Sequence, residues 1–343
     1  MDDIRHNLPV LLLHNTNPAW TPEEILENEE DAATLSNALC ELGHPVEVVT
    51  VENARLAERL SAYNPQEHIV FNWCEEIPGI PRSEPEVAAV MERMGFVFTG
   101  SSYNVLALSY DKPQIKRLLD EANIPTPPWD VFHTPDTTGW NIFPSIVKAA
   151  HEHCSIGISS ESIVTSPAEL ENRVAFILEE HNQPALVEEF IDGREFLNAV
   201  WGNGKISMLP AIEMDYSGLT NIRDRLFTYE AKYVSGSPLY ESIDMVVPAE
   251  LEPNALARLE QIVLATYRAT GCRDYGRIDV RYLNDVFYVI DVNPNPDINP
   301  MTSMTHAAAK AGYSYGQMGS RIVNLAAARH PLFGKGNTPA SAP

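Results

Sequence analysis

The chain has 343 residues, of which 44% are hydrophobic and 21% charged, a composition typical of a soluble globular protein with two or three domains. Its 47 Asp and Glu against 24 Lys and Arg give a formal net charge of -23, which argues against nucleic acid as a partner because phosphate backbones would be repelled. No apolar run reaches the roughly 18 residues of a membrane span, and residues 8–13 are too short a run for a signal peptide, so we expect a cytoplasmic protein with no membrane partner.

Residues 1–108 alternate predicted strands with predicted helices. Apolar runs at 8–15, 45–51, 68–74 and 96–102 are typical of buried strands. The helix before the second strand has a start signal, with Thr21 as cap, Pro22 in the first turn and Glu24 three residues after the cap. This order predicts an open α/β domain with a parallel sheet.

The rest of the chain predicts two α+β units and a tail. In residues 109–192, Asp111 caps a short helix, a strand runs into a polar loop at 151–160, and Ser166 with Glu169 forms a capping box. Residues 193–330 are strand-rich, with hairpins around 202–204 and over 275–293, and residues 331–343 form a loose tail. The four cysteines include no close pair, so a zinc knuckle or CxxC redox site is not indicated.

The stretch VIDVNPNPDI, residues 289–298, interrupts an apolar strand with two polar side chains. Asp291 and Asn293 are two residues apart and therefore share a face, and grouped hard oxygens suit Mg²⁺. Val292 and Ile290 are expected to anchor the opposite, buried face. The alternative is an edge hairpin whose carboxylates are only solvated.

The preceding strand offers Arg277 and Asp279 on one face. A two-residue turn at 284–285 would put Asp279 opposite Ile290, on the wrong face for a shared site. A three-residue loop at 284–286, or a bulge, would instead align Asp279 with Asp291. A metal site therefore requires one of these two irregularities.

Lysines stand in three separate segments with apolar neighbours. Lys148 stands at the end of a strand, just before the loop 151–160, where a lysine and backbone N–H groups can bind a phosphate. Lys112 and Lys232 also have apolar neighbours and are further candidates for a phosphate contact. Each lysine alone could equally be a surface residue. His151 and His153 could suggest a metal pair, but no third ligand is near them in the sequence and a polar loop is the alternative.

Taken in order, these segments resemble the ATP-grasp superfamily and, within it, the D-alanine–D-alanine ligase-like group. The resemblance lies in FTGSSYNVLALSYDKPQIKRLLDEANIPTP, IVKAAHEHCSIGI, ALVEEFIDGREF, YEAKY, YGRIDV and VIDVNPNPDI, and it covers about residues 68–325. It implies three domains, an N-terminal open parallel-sheet domain and two α+β domains, central and C-terminal, with ATP held between these two. It also implies Mg²⁺ as a cofactor, two ions for which Mn²⁺ can substitute, and a possible homodimer.

The resemblance further implies roles for individual residues. Lys112 and Lys148 would bind phosphates, Glu188 the adenine amino group, and Glu195 the ribose. Arg277 would stabilise the transferring phosphoryl group and the tetrahedral intermediate. The remaining implied roles are nucleotide binding by Glu189, Phe190, Ile191 and Lys232, catalysis by Lys232, Tyr233 and Ser155, and Mg²⁺ binding by Asp279, Asp291 and Asn293.

The implied reaction joins a small-molecule carboxylate to an amine, with amino-acid-like substrates. ATP would phosphorylate the carboxylate, the amine would displace phosphate from the acyl phosphate, and the loop 151–160 would exclude water.

The resemblance is weakest where the substrates would bind. Leu26 replaces the glutamate that holds the first ammonium, with Glu27 adjacent, and Asp297 replaces the usual oxyanion-hole glycine. Glu27, Asp297, Asn299 and Ser303 are therefore candidates for substrate contacts, and the alternative for Asp297 is a turn or capping aspartate. These departures leave open a true D-alanine–D-alanine ligase, a ligase for other substrates, a non-catalytic nucleotide-binding regulator, and a sugar- or nucleotide-binding α/β protein of another superfamily.

Overall fold

The computed structural model describes residues 4–153, 155–228 and 236–334. The described strands form three separate sheets, which we call the N-terminal, central and large sheets. Within the described residues, no helix combines the length and apolar character needed to cross a membrane.

The N-terminal sheet has four parallel strands in the order β2-β1-β3-β4, as the alternating pattern predicts. Two helices beside it, α2 and α4, were not predicted, because α2 has only five residues and α4 seven. The elements of this part are β1 (Val10–Asn15), α1 (Pro22–Glu41), β2 (Val46–Val51), α2 (Leu56–Leu60), β3 (Ile69–Trp73), α3 (Glu84–Met94), β4 (Val97–Phe98) and α4 (Tyr103–Ser109).

The helices that were predicted to start at Thr21 and Ser166 do start there, but only the first has the predicted capping box. Thr21 accepts from the Glu24 N–H while the Glu24 carboxylate accepts from the Thr21 N–H, which completes the capping box. Ser166 also accepts from the Glu169 N–H, but the Glu169 carboxylate bonds to the backbone N–H of Thr165 instead of returning to Ser166. The second capping box was therefore predicted wrongly, since the carboxylate reaches one residue further back.

The central sheet has four antiparallel strands in the order β5-β8-β6-β7, with two helices. Its elements are α5 (Lys112–Glu121), β5 (Trp129–Phe132), β6 (Ser145–Ala149), β7 (Ile163–Val164), α6 (Pro167–Glu180) and β8 (Ala185–Glu189). Asp111 caps α5 as predicted, by accepting from the Gln114 N–H.

The large sheet runs β12-β11-β9-β13-β14, with β10 paired to β9, and all pairs are antiparallel. The short helix α8, which follows the proline-rich segment, was not predicted. The elements are β9 (Arg194–Asn203), β10 (Lys205–Met208), β11 (Ile212–Asp215), β12 (Asp244–Val246), α7 (Pro253–Ala269), β13 (Tyr275–Leu283), β14 (Val286–Asn293), α8 (Ser303–Lys310) and α9 (Tyr315–Ala327).

The hairpin β13–β14 turns over two residues, Asn284 and Asp285, both with positive φ. Val280 pairs with Val289 but Asp279 pairs with Asp291, so Ile290 is an extra residue, a β-bulge. Of the two predicted irregularities, the bulge is the one present. Ile290 was wrongly placed on the buried face: Val289 and Val292 occupy it, and Ile290 lines a cleft.

The C-terminal helix α9 packs directly on α1. A Cβ at Gly316 would come within 2.6 Å of the Ala38 carbonyl oxygen, and one at Gly319 within 2.9 Å of Leu35. The two helices therefore approach more closely than side chains at these positions would allow. One apolar core accordingly includes residues of α1, β1, β9 and α9, so the N-terminal and large sheets share a core.

A buried carboxylate also joins the N-terminal sheet to the large sheet. Asp274, which is fully buried, accepts from the Gly100 N–H at 3.0 Å, from Asn203 Nδ2 at 2.7 Å, and from Arg329 Nη1 and Nη2 at 2.5 and 2.8 Å. Arg329 also donates to the Phe98 carbonyl at 2.8 Å.

Asp274→Ala should lower the free energy of unfolding by about 3 kcal/mol, because it removes the buried carboxylate that Arg329, Asn203 and the Gly100 N–H share as an acceptor. Urea denaturation measures the change. Glu58→Ala, which breaks an ion pair between side chains 75% and 72% exposed, is the control and should cost below about 1 kcal/mol. Equal losses in the two variants would contradict the linking role of Asp274.

Candidate active site

A cleft between the central and large sheets collects most of the predicted nucleotide-binding residues. It encloses about 900 Å³, including the space open to solvent at its mouth. The predicted site residues on its walls are Lys112, Lys148, Ser155, Glu188, Glu189, Phe190, Ile191, Glu195, Asp279 and Asp291. Lys232 and Tyr233 lie outside the described residues.

Two lysines approach the cleft from different elements. Lys112 is the first residue of α5, and its Nζ donates to the Glu152 carbonyl at 2.6 Å and lies 3.8 Å from Asp291 Oδ1. Lys148 lies on β6, and its Nζ is 2.6 Å from Glu188 Oε2. Both ammonium groups therefore stand on one wall, where they can meet an anion as point charges.

Glu188 has more partners than the sequence predicts. Its side chain is 1% exposed, and its carboxylate contacts both Lys148 and Lys116. Burial would raise the pKa of this carboxyl group, but the two lysines outweigh burial and hold the pKa below its usual value. The predicted contact with an adenine amino group stays a prediction. Lys116 was missed, although it stands four residues after Lys112 and thus on the same helix face.

The side chain of Glu195 is held by Arg281, a cation that the sequence did not lead us to predict as part of the site. Its Oε2 accepts from Arg281 Nε at 3.0 Å, Arg281 Nη2 at 2.6 Å and the Tyr216 hydroxyl at 3.0 Å. Arg281 lies over the Phe190 ring at 4.6 Å and donates to the Ile191 carbonyl at 3.0 Å. The available signal was the alternation of Arg277, Asp279 and Arg281 along one strand.

The candidate metal ligands converge at the bulge. Arg277 Nε and Nη2 donate to the two oxygens of Asp279 at 2.7 and 2.9 Å, and Asn293 Nδ2 donates to Asp279 Oδ2 at 3.2 Å. Asp291, whose side chain is 37% exposed, lies beside Asp279 in the hairpin register. Two carboxylates and an amide, all with hard oxygens, fit Mg²⁺.

The surrounding charges keep one of these ligands ionised. Burial acts to raise the pKa of Asp291, but Lys112, His153, Lys148 and Arg277 together lower it. For Asp279, burial outweighs Arg277 and raises the pKa. Among the described residues, no group of three or more His, Cys, Asp or Glu could hold a metal ion, so the candidate site depends on Asn293 as the third ligand.

The loop after β6 folds over the cleft. Ser155 has a positive φ of 60°, lines the cleft, and its Oγ donates to the Phe227 carbonyl at 3.4 Å. His153 packs edge-on against Tyr110, and burial, aided by Lys112, lowers its pKa to about 4.

The segment that follows Asn293 forms a tight turn. Asp297 Oδ1 accepts from the Asn299 N–H at 3.0 Å, and Oδ2 accepts from Asn299 Nδ2 at 3.1 Å. This is the turn arrangement that was the alternative for Asp297. Ser303 begins α8 and is buried, while Glu27 is exposed on α1.

Several carboxyl groups of the N-terminal part face this segment. Asn295 Nδ2 donates to Glu84 Oε1 at 3.2 Å, and burial, with Glu75 nearby, raises the pKa of Glu84 to about 8. Burial and Asp297 raise the pKa of Asp31 to about 6, and burial raises the pKa of Asp297 itself. Sequence reasoning missed Glu84 and Asp31 because the approach of Glu84 to Asn295 and of Asp31 to Asp297 depends on the packing of distant segments.

The sequence of this chain is similar to one family profile and to several known proteins. The family profile described as "D-ala D-ala ligase C-terminus" matches residues 118–324. The chain is 34% identical over 270 residues to an uncharacterized protein of Sinorhizobium fredii, covering 78% of this chain and 76% of that protein. It is 29% identical over 311 residues to a D-alanine–D-alanine ligase of Moorella thermoacetica, covering 87% and 93%.

Solved structures give the same fold. A D-alanine–D-alanine ligase from Bacillus anthracis superposes with a TM-score of 0.70 at 20% identity, over 93% of this chain and 97% of that one. The same enzyme complexed with ATP gives a TM-score of 0.68 at 19% identity, over 93% and 97%. The predicted fold class, ATP-grasp with mixed α/β content and several sheets, is confirmed.

The raised pKa of Glu84 predicts a pH-dependent stability. The protonated Glu84 side chain contributes fully to stability below pH 4.5, the pKa of an unfolded glutamate. This contribution is lost as the pH rises through about 8, the pKa of Glu84 in the fold. Glu84→Gln cannot ionise, so its melting temperature should match the wild type at pH 5 and exceed it by about 3 °C at pH 9. Scanning calorimetry measures both. Glu86→Gln, in the same helical turn but exposed, should show no such difference; a pH-independent effect of Glu84→Gln would contradict the assignment.

Proposed function

Because this chain belongs to the D-alanine–D-alanine ligase family, we propose that it is an ATP-dependent ligase that joins a carboxylate to an amine through an acyl phosphate. The observation that carries the proposal is the single cleft in which Lys112, Lys148, Asp279 and Asp291 meet. The family relatives named as D-alanine–D-alanine ligases support ATP use and amino-acid-like substrates.

The proposed reaction has two steps. An oxygen of the substrate carboxylate bonds to the γ-phosphorus of ATP, the bond to the β-phosphate bridge breaks, and ADP leaves. The neutral amine nitrogen then attacks the acyl carbon; this nitrogen releases a proton to the phosphate leaving group or to solvent, the bond from the carbon to the phosphate oxygen breaks, and phosphate leaves an amide behind. The chain's task is to position the reactants and balance their charge.

Different residues of the cleft would position the reactants and balance their charge. Lys112 and Lys148 would neutralise phosphate oxygens, and Arg277, held by Asp279 at 2.7 Å, would face the oxyanion that forms when the amine attacks. Asp279, Asp291 and Asn293 would hold Mg²⁺, which when bound supplies positive charge to the phosphates. The loop at 151–160 would exclude water from the acyl phosphate, and Ser155, Lys232 and Tyr233 remain candidates within this machinery.

The narrower identities remain separate proposals. A true D-alanine–D-alanine ligase is one candidate, but Leu26 and Asp297 replace the family's ammonium-binding glutamate and oxyanion-hole glycine, which favours other amino-acid-like substrates. We assign the three sheets to domains 1–108, 109–192 and 193–330. A regulator without chemistry is disfavoured because Arg277, Asp291 and Asn293 are all present.

The direct experiment measures phosphate release from ATP with pairs of D- and L-amino acids, followed by mass spectrometry of the products. A new amide with stoichiometric ADP and phosphate supports the ligase. Tight ATP binding without phosphate release from any carboxylate–amine pair would favour the regulator instead.

Asp291→Ala and Asn293→Ala should each reduce amide formation by about a hundredfold or more, because the site loses a ligand for the cation that balances phosphate charge. Phosphate release under saturating ATP and varied Mg²⁺ measures the effect, and thermal unfolding should show an intact fold. Asp244→Ala, an exposed carboxylate on β12 of the same sheet, should behave as wild type. Normal turnover with unchanged Mg²⁺ dependence would remove both residues from the site.

Asp297→Asn separates charge from turn geometry, because an asparagine oxygen can still accept from the Asn299 N–H. If Asp297 contacts the amine substrate, KM for the amine should rise about tenfold while KM for ATP stays constant. Steady-state kinetics with each substrate varied measures the two constants. An unchanged amine KM would leave Asp297 with only its role in the turn.

A further inference from the structure

Behind the nucleotide cleft, one buried carboxylate is shared by two ammonium groups. Lys116 Nζ contacts Glu188 Oε1, and Lys148 Nζ lies 2.6 Å from Glu188 Oε2. The side chains of Lys116, Glu188 and Lys148 are 4%, 1% and 11% exposed. Two positive charges and one negative charge are therefore packed together with little water between them.

Only one of the two lysines can meet a ligand. Lys148 lines the large cleft, whereas Lys116 lines a smaller cavity behind it, walled by α5, β8 and β14. Lys116 Nζ also donates to Thr126 Oγ1 at 2.6 Å and to the Val289 carbonyl at 3.5 Å. Lys116 thus does not line the large cleft, and its ammonium group is held by Glu188, Thr126 and Val289.

The register of β6 and β8 places Glu188 beside Lys148. Lys148 pairs with Leu186 and Ile146 with Glu188 across β6 and β8, so Lys148 and Glu188 are diagonal neighbours on one face of the sheet. Without Lys116, both carboxylate oxygens of Glu188 would be free to pair with Lys148 and would compete with a phosphate for its ammonium group. With Lys116 present, one oxygen contacts Lys116 and the other contacts Lys148.

We propose that Lys116 is a positioning residue that acts through Glu188: it holds one oxygen of the carboxylate away from Lys148 and so leaves the Lys148 ammonium group available to nucleotide phosphates. This role rests on the proposed function, since it presumes that phosphates of ATP lie against Lys148. It assigns a purpose to a lysine that touches neither substrate nor nucleotide.

Lys116→Met tests the proposal by calorimetric titration with ATP, ADP and adenosine. The loss of affinity should grow with the number of phosphates, reaching about tenfold for ATP and nothing for adenosine, because only a phosphate meets the Lys148 ammonium group. Arg117→Met is the matched control: it removes the same charge from the next, exposed position of α5 and should leave all three Kd values unchanged.

A double-mutant cycle keeps the test informative if Lys116→Met folds poorly. Glu188→Gln removes the shared carboxylate, and adding Lys116→Met removes the more deeply buried of the two ammonium groups that it leaves unpaired; thermal unfolding of each variant checks that it folds. In the Glu188→Gln background, Lys116→Met should change the ratio of ATP to adenosine affinity less than about twofold, since Lys116 acts only through the carboxylate.

The outcomes separate this role from the proposed function. A wild-type protein that fails to bind ATP would overturn both. A wild type that binds ATP, with a Lys116→Met loss that is equal for ATP and adenosine, would overturn the role of Lys116 alone and leave a packing role. A phosphate-dependent loss that persists in the Glu188→Gln background would also overturn it, because Lys116 would then act without Glu188.

Discussion

The arrangement of the large cleft depends on the ion pairs that the buried carboxylate of Glu188 makes with two lysines. It joins β8 to β6 through Lys148 and to α5 through Lys116, and Lys116 continues to the Thr126 hydroxyl and the Val289 carbonyl on β14. A buried charge without partners is costly, so the carboxylate and the lysines are stable there only together. The central and large sheets are thus aligned by the same charges that set the electrostatics of the cleft.

Local patterns predicted much of the architecture because they depend on neighbours in the sequence. Alternating apolar runs gave the parallel N-terminal sheet, and Thr21, Asp111 and Ser166 marked helix starts correctly. The hairpin required an irregularity before Asp279 and Asp291 could share a face, and the bulge at Ile290 supplies it. The sequence could not choose between a bulge and a longer loop, since both satisfy the same side-chain alternation.

The residues that were missed are those whose partners lie far away in the chain. Lys116 meets a carboxylate 72 positions later, Arg281 meets Glu195 86 positions earlier, and Glu84 meets Asn295 across 211 positions. The family resemblance identified residues expected to touch nucleotide but not the charges behind them. The short helices α2, α4 and α8 were missed because five to eight residues give too few turns for a clear apolar period.

The glycine contact between α1 and α9 has a consequence for movement. Because Gly316 and Gly319 let α9 approach α1 closely, and one core spans both, a movement of the N-terminal sheet relative to the large sheet would break apolar packing. The central sheet has one apolar cluster of its own, while a smaller cluster joins Ile146 and Ile163 to Leu226, and helix α5 packs into the core behind the large sheet. If the cleft widened by displacement of the central sheet, Asp297, Glu84 and Asp31 would keep their mutual arrangement, because all three belong to the two parts that share a core.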